Sequence, residues 1–476
     1  MQQQTQENPP QEEQAKGSIS RWQRYRNSRR ARRWTYAIMV LIPVVLMIIS
    51  MMTVFTRPRF NPNEGRTIKT PQAVPGNKTA PRPTDPNVLT QQVLTDLNAH
   101  GYDDRYQTIL INWRKSNTGQ VNCSPERCDT RTQLSRVDKA NDLRDLENLY
   151  WYKALHPGDT TMDNYIARML PIVKAEWGDT TLNKGWVYYT LLRIRAYSHD
   201  SAYWDKTIQH WVASQYSKID SQKGVQHGKI DTTAGGGNVT LADGYRVDHA
   251  LETGLALVDA GIRYHQPAWI ATGKKAVSVV IKDSYNKQFH LFGRIYLVQD
   301  PRYGTDELLD TQARMGETGQ ELEALLRTGA YTRNSEYLRL AREIIDGLQN
   351  SPLRDRQNGG FFFKIFLGPY MGQTTGYVDK SIKEARQLHT LIAIHLANQI
   401  FNNRWAELEQ DVTRNAVQHL FLPAPVPGFT YRIRSDGDLY PCPKCVQPKV
   451  EDWVTSEADN IALEAFQTIL TKQWLF

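Results

Sequence analysis

Cysteine is scarce, with four residues in 476. That is too few for a fold stapled by disulfides and enough only for one or two local clamps. Glycine (30) and proline (23) stay at ordinary levels, which excludes a collagen-like fibre. A hydrophobic share of 40% excludes wholesale disorder. Long apolar runs are missing with one exception, and a mean hydropathy of −0.56 excludes a polytopic membrane protein. No G-K-[ST] phosphate loop and no strand-led dinucleotide fingerprint occurs. The Gly-rich stretch from Thr232 to Asn238 matches neither and reads as a mobile loop.

The exception is residues 34–56, WTYAIMVLIPVVLMIISMMTVFT, which carry no charge. As a helix the run spans a hydrocarbon core of about 30 Å. Trp34 and Tyr36 suit an interface, and Pro43 is tolerated within a span. Residues 1–33 hold eight basic and three acidic side chains, +5 of the net +8. This places a basic tail (1–33) in the cytoplasm, a transmembrane helix at 34–56 in the lipid bilayer, and the remainder outside the cell membrane. A cleaved signal peptide fits poorly, because the leading segment and apolar core are too long and no small-x-small site follows. The basic charge sits in a tail beside an apolar run, so no nucleic-acid partner is expected. Residues 57–87 are Pro-rich and read as an extended tether.

Residues 88–476 contain a repeat. Apolar helical segments starting at Gly185, Ala250, Gly319 and Gln387 each run into a short break and a second helix opening with an aromatic: Tyr203, Trp269, Tyr337 and Trp405. These aromatics are 66, 68 and 68 residues apart, the mark of a repeated supersecondary unit. With pairs at 143–155/160–177 and 453–472/88–113, six helical hairpins result. The predicted fold class is all-α, an (α/α)6 toroid preceded by one transmembrane helix. Connections within hairpins are short, and those between hairpins (218–243, 288–310, 351–377, 423–451) are long and share one face. Such loops usually build a site. Strand-like stretches at 288–298, 359–367 and 429–440, the last with an Asp436-Gly437 turn, place β-hairpins in these loops.

The stretch Asn358-Gly359-Gly360-Phe361-Phe362, then Asp379-Lys380, then Glu384-Ala385-Arg386-Gln387 opening an apolar helix, resembles the six-hairpin glycan-active superfamily. That group includes N-acylglucosamine 2-epimerase-like proteins, glycoside hydrolases and lyases. The resemblance implies a carbohydrate ligand in a funnel at the N-terminal ends of the inner helices. The paired histidines of the epimerases are not matched, so that reaction is not carried over.

The first turns of the expected inner helices hold carboxylates. Asp248 and Glu317 occupy equivalent repeat positions and are the expected acid and base or nucleophile, with Asp452 and Glu457 as a second pair. Each also suits a helix dipole. Trp186, Tyr245, Tyr377 and Trp453 are candidate sugar platforms. Lys383, Glu384 and Arg386, with Lys380, cluster at a helix start and suit a uronate or phosphate. His249 points about 100° away from Asp248 and reads as a hydrogen-bonding residue. The cysteines fall in two close pairs, Cys123 with Cys128 and Cys442 with Cys445. They form two disulfides, or together one zinc site; no other metal and no cofactor is expected. The expected function is a membrane-anchored, extracytoplasmic enzyme acting on a polysaccharide or oligosaccharide, a glycoside hydrolase first. Two readings compete with it. One is a lyase or epimerase on an acidic sugar, using Tyr245, His249 and Lys383. The other is a non-catalytic glycan-binding scaffold among envelope-assembly proteins.

Overall fold

Twelve α-helices alternate between an inner and an outer ring among the described residues of this computed structural model: 82–104, 107–113, 139–231, 241–298, 307–423, 427–441 and 450–471. They are α1 (Pro86–Asp96), α2 (Lys139–Leu155), α3 (Asp163–Trp177), α4 (Trp186–Tyr197), α5 (Ser201–Lys218) and α6 (Val247–Arg263). Then follow α7 (Pro267–Ser284), α8 (Met315–Thr332), α9 (Ser335–Asn350), α10 (Leu388–Ile400), α11 (Ala406–Asn415) and α12 (Ser456–Leu470). The basic tail, the 34–56 run, most of the Pro-rich segment and the Gly-rich loop lie outside the described residues. So do the four cysteines, Cys123, Cys128, Cys442 and Cys445, and with them the expected disulfides or zinc site. Among the described residues no helix is long and apolar enough to cross a membrane.

The inner ring runs α2–α4–α6–α8–α10–α12, each helix packed on the next, and α12 returns to α2. Outer helices α3, α5, α7, α9 and α11 each pack on the inner helix before them in the chain, while α1 packs on α12. The sixth hairpin is therefore made from the two ends of the toroid, as the sequence predicts. Residues 82–87 of the expected tether are joined to the toroid. Asp85 caps α1, which starts at Pro86, and Arg82 Nη1 donates to the Val417 carbonyl at 2.9 Å.

Burial separates the rings. In α10 ten of thirteen residues are buried, so the helix is covered on every side. In α9 only six of sixteen are, at Tyr337, Leu340, Ala341, Ile344, Ile345 and Leu348, a single stripe of helical spacing. The repeat aromatics Tyr203, Trp269 and Tyr337 are each the third residue of an outer helix, and Trp405 immediately precedes α11, wholly buried. The short breaks carry left-handed residues at His265, Arg333, Asn402 and Asn403.

Two glycines set the close contact between α8 and α10. A Cβ on Gly319 would lie within about 2.3 Å of the Thr390 amide nitrogen, and one on Gly316 within about 2.5 Å of the Arg386 Cβ. Helices α8 and α10 can approach this closely only because both positions lack a side chain. The toroid axis is polar. Arg193 of α4 pairs with Glu147 of α2, with Glu323 of α8 at 2.8 Å and with Glu464 of α12 at 3.8 Å. A buried guanidinium is tolerable because several carboxylates surround it.

The long connections hold short strands, and these pair both within a connection and with the next one. Four inner helices are preceded by a lead-in strand: Leu241–Arg246, Gln312–Arg314, Ile382–Glu384 and Val454–Thr455. Each pairs antiparallel with a strand of the next connection around the ring: Ile295–Leu297, Lys364–Phe366, Arg432–Arg434 and Asn112–Trp113. Pairings within a connection form as expected, between Gly228–Asp231 and Leu241–Arg246, Ile295–Leu297 and Glu307–Asp310, and Lys364–Phe366 and Val378–Asp379, and the lead-in pairings join them to the neighbouring connection. Local hairpins persist at Tyr285–Asn286 with Leu291–Phe292 and at Phe421–Leu422 with Gly428–Phe429. The Asp436-Gly437 turn forms, with Gly437 at φ 87° and the Arg434 amide donating to the Asp438 carbonyl at 2.8 Å.

Candidate functional site

The lead-in strands decide which side chains gather at the N-terminal ends of the inner helices, the floor of the expected funnel. They end on Arg246, Arg314 and Glu384, each immediately before an inner helix or its 3-10 first turn. None of these residues caps its helix with a side-chain hydrogen bond. An arginine is a poor N-cap, so its place here follows from strand pairing and from the carboxylates it meets. Arg246 donates to Asp248 from Nε (3.0 Å) and Nη2 (2.5 Å), and from the same Nη2 to Glu317 Oε1 at 2.7 Å. Arg294 adds a bond to Glu317 Oε1 at 3.0 Å and reaches Asp310 at 3.2 Å. On the next inner helix Arg386 binds Glu457, at 2.7 Å from Nε and 2.5 Å from Nη2.

The structure brings Asp248 and Glu317 together, as their repeat register predicts, but onto one guanidinium. Burial opposes the Asp248 anion, yet the neighbouring positive charge outweighs it and holds the carboxyl well below the ordinary range. Asp248 is thus placed as an anion orienting Arg246, which suits the base or nucleophile role of the expected pair and not the acid role.

A different carboxyl has the properties of an acid. Glu384 is pushed up to about 7 by burial, which outweighs the opposing charges of Arg386 and Arg314, while Glu457 and Glu317 add smaller upward pushes. Its carboxyl makes no side-chain hydrogen bond or ion pair among the described residues. Deeper in the ring, Glu252 and Glu321 lie one helical turn below Asp248 and Glu317. Burial and neighbouring carboxylates push both well above the ordinary range. The sequence reading missed Arg246, Arg294 and Arg314. A signal was present in the arginine shortly before each acid, in Arg246-Val247-Asp248 and Arg314-Met315-Gly316-Glu317.

The other expected residues divide. Lys383 is wholly buried, and its ammonium donates to Asp355 Oδ2 at 2.6 Å and the Gly359 carbonyl at 2.8 Å. It is an internal brace, not a ligand-binding cation. The Gly359-Gly360 pair has φ of 72° and 71°, and the Phe361 amide donates to Gln387 at 2.8 Å, so this motif shapes the loop. Trp453 is buried. Trp186 lies under the Arg144 guanidinium at 4.6 Å and lines an axial space of about 10 Å³, room for one water and not for a sugar ring. Neither tryptophan is a sugar platform here. Tyr377 is exposed, with its ring beside Phe366. Asp452 and Glu457 are separated by the strand Val454–Thr455, and Glu457 is engaged by Arg386. Tyr245 and His249 line a cavity beside α6, away from the axial space. Among the described residues no cluster of metal-ligating side chains occurs. The pairs Cys123 with Cys128 and Cys442 with Cys445 fall outside those residues, so neither a disulfide nor a zinc site is part of the geometry described.

Arg314 is a half-buried guanidinium that bonds only to Gln312 Oε1, at 3.2 and 3.3 Å, and finds no carboxylate partner among the described residues. Burial and the nearby Arg294 push it down from its ordinary value. Lys364 lies close by, 4.0 Å from Asp379, and is likewise pushed down by burial and by Arg314. The floor thus holds positive charge in excess on the side facing Glu384.

No protein-family model and no curated protein matches the sequence. Solved structures do match in fold. An unsaturated glucuronyl hydrolase specific for heparin superposes with a TM-score of 0.56 at 13% identity, covering 80% of this chain and 96% of that one. An alpha-mannanase of glycoside hydrolase family 76 from Bacteroides thetaiotaomicron gives 0.53 at 10% identity, covering 80% and 94%. A D-mannose isomerase gives 0.53 at 10%, covering 82% and 99%. The structural neighbours are (α/α)6-toroid glycan-active enzymes, and at these identities the likeness is one of fold.

Proposed function

We propose that this protein is a carbohydrate-active enzyme that hydrolyses an acidic glycan at the funnel floor. The observation that carries the reading is one carboxyl raised to about 7, Glu384, beside the Asp248 and Glu317 carboxylates ion-paired to Arg246. Glycoside cleavage needs that pairing of a protonated and an ionised carboxyl. Glu384 gives its proton to the glycosidic oxygen as the C–O bond breaks and the bonding electrons leave with that oxygen; water then adds to the anomeric carbon and returns a proton to the Glu384 carboxylate. Glu317, fixed by Arg246 and Arg294, is the anion facing the positive charge that develops on the sugar ring. Arg314 and Lys364 suit a carboxylate, sulfate or phosphate on the glycan, a role the sequence assigned to Lys383. The fold of the glucuronyl hydrolase and mannanase neighbours supports a sugar ligand on this face, as analogy.

An isomerase reading needs two histidines converging on one sugar. His249 and His389 line separate spaces with no lining residue in common, which disfavours it.

The test is the full-length protein on a panel of neutral and anionic polysaccharides, following new reducing ends and the ultraviolet absorbance of unsaturated uronate. Reducing ends without absorbance support hydrolysis. Absorbance turns the reading to a lyase, and binding without turnover turns it to a scaffold. We propose also that residues 34–56 anchor the chain in a membrane with the toroid outside. Recovery with membranes until detergent is added, and protease access to the toroid in intact cells, check this.

A further inference from the structure

A cavity of about 400 Å³ opens beside the first turns of α6, within the size range of small-ligand sites. Its walls come from the segment before α4 (Asn183), the loop after α5 (Val225, Gln226, His227), the lead-in strand (Tyr245, Arg246) and α6 itself (His249, Thr253). Arg246 belongs both to this wall and to the Asp248–Glu317 clamp, so the cavity adjoins the funnel floor.

Two polar atoms in this wall are buried and have no partner among the described residues: Thr253 Oγ1 and Gln226 Oε1. Thr253 is 1% exposed. A threonine inside a helix ordinarily bonds its hydroxyl to the carbonyl four residues back. Thr332 and Thr468 do so, at 2.6 and 2.7 Å. Thr253 does not, and the missing bond is the cost a ligand hydroxyl would remove. The loop carrying Gln226 is held in place by the next residue. His227 Nδ1 lies 2.9 Å from Asp243, and its Nε2 lies 3.3 Å from Asp220. Gln226 is therefore presented on a fixed support.

The character of the wall names the ligand class. Ile219, Val225, Ile230 and Ala276 give an apolar side on which C–H groups can lie. The guanidinium of Arg246 is already neutralised by Asp248 and Glu317. The unsatisfied groups are an amide oxygen and a hydroxyl, which call for ligand O–H groups and not for a charge.

We infer that this cavity is a subsite for a neutral sugar residue of the glycan whose acidic portion lies on the funnel floor, read through Thr253 and Gln226. The inference rests on the proposed function for its substrate class but makes a separate claim about binding. The experiment titrates the full-length protein with glucose, galactose, mannose and N-acetylglucosamine, followed by saturation-transfer NMR and calorimetry. It compares wild type with Thr253→Val, Gln226→Leu and Glu384→Gln. At least one neutral sugar is expected to bind. Affinity should fall roughly fivefold in each of the first two variants, the loss of one neutral hydrogen bond, and stay unchanged in Glu384→Gln. Gln226→Leu, on a loop, carries the test should Thr253→Val fold poorly. No binding by any of the four sugars, or binding indifferent to both wall variants, overturns the subsite. Glycan turnover with Thr253-independent binding overturns the subsite and leaves the enzyme reading. Thr253-dependent binding with no glycan turned over keeps the subsite and overturns the enzyme reading.

Discussion

Glu384 and Arg386 are two residues apart, yet Arg386 commits its guanidinium to Glu457 and leaves the Glu384 carboxyl unpaired among the described residues. The relationship arises because Glu384 ends a lead-in strand while Arg386 sits in the 3-10 turn that begins α10. The change from strand to helix turns the two side chains to different partners. It keeps a protonatable group on the floor in the midst of arginine.

Glu384→Gln should lower kcat by about 10²–10⁴-fold, the usual share of a general acid, with KM nearly unchanged. Steady-state kinetics on the glycan found by the panel measures this. The corresponding Asp248→Asn should act differently. It removes the anion that orients Arg246, so it should raise KM and lower thermal stability together.

The pH profile should show a basic limb near 7. Glu384 can donate only while protonated, and its folded pKa of about 7 lies above the ordinary glutamate value of 4.5. Activity is lost as pH rises through the folded value. Stability follows the same sign, because the unfolded chain releases this proton earlier than the folded one. Wild type should lose stability relative to Glu384→Gln between about pH 4.5 and 7. Glu457→Gln removes a neighbouring negative charge and frees Arg386, so the limb should move to lower pH.

Lys383→Met should destabilise the fold by about 3 kcal/mol, since it strands the buried Asp355 carboxylate. Glycan KM should not change once the protein is folded. Thermal unfolding with parallel kinetics separates the two effects, and a selective rise in KM would return Lys383 to the ligand.

Gly319→Ala should cost about 1–3 kcal/mol through overpacking. The added methyl meets the backbone of α10 at His389 and Thr390, which cannot rotate away as a flexible side chain would. Denaturant unfolding reads this, and an unchanged midpoint would show that α8 and α10 can separate freely.

The hairpin count, the inner and outer assignment and the short breaks were legible, because each depends on local periodicity and on a spacing repeated along the chain. The lead-in strands before the inner helices that begin at Val247, Leu388 and Ser456 were not legible, because they are stabilised by partners in another connection that local pattern does not reveal. The pairing of Asp248 with Glu317 was legible from repeat register. Arg246 between them was not, and its guanidinium acts with His249 to hold Asp248 as an anion against burial. Lys383 and Arg386 read alike in sequence. Only the positions of Asp355 and Glu457, far away in the chain, send one inward and leave the other at the floor.

The joining of α1 to α12 has a bearing on how the molecule is made. On the ribosome, helices α2 to α11 emerge as complete hairpins that can fold as they appear, whereas α1 must wait for residues made more than 300 positions later, as the buried Asn141–Ser456 contact beside the same joint also must. The ring therefore closes last at one seam, and α1 is the piece a chaperone would need to shield during synthesis.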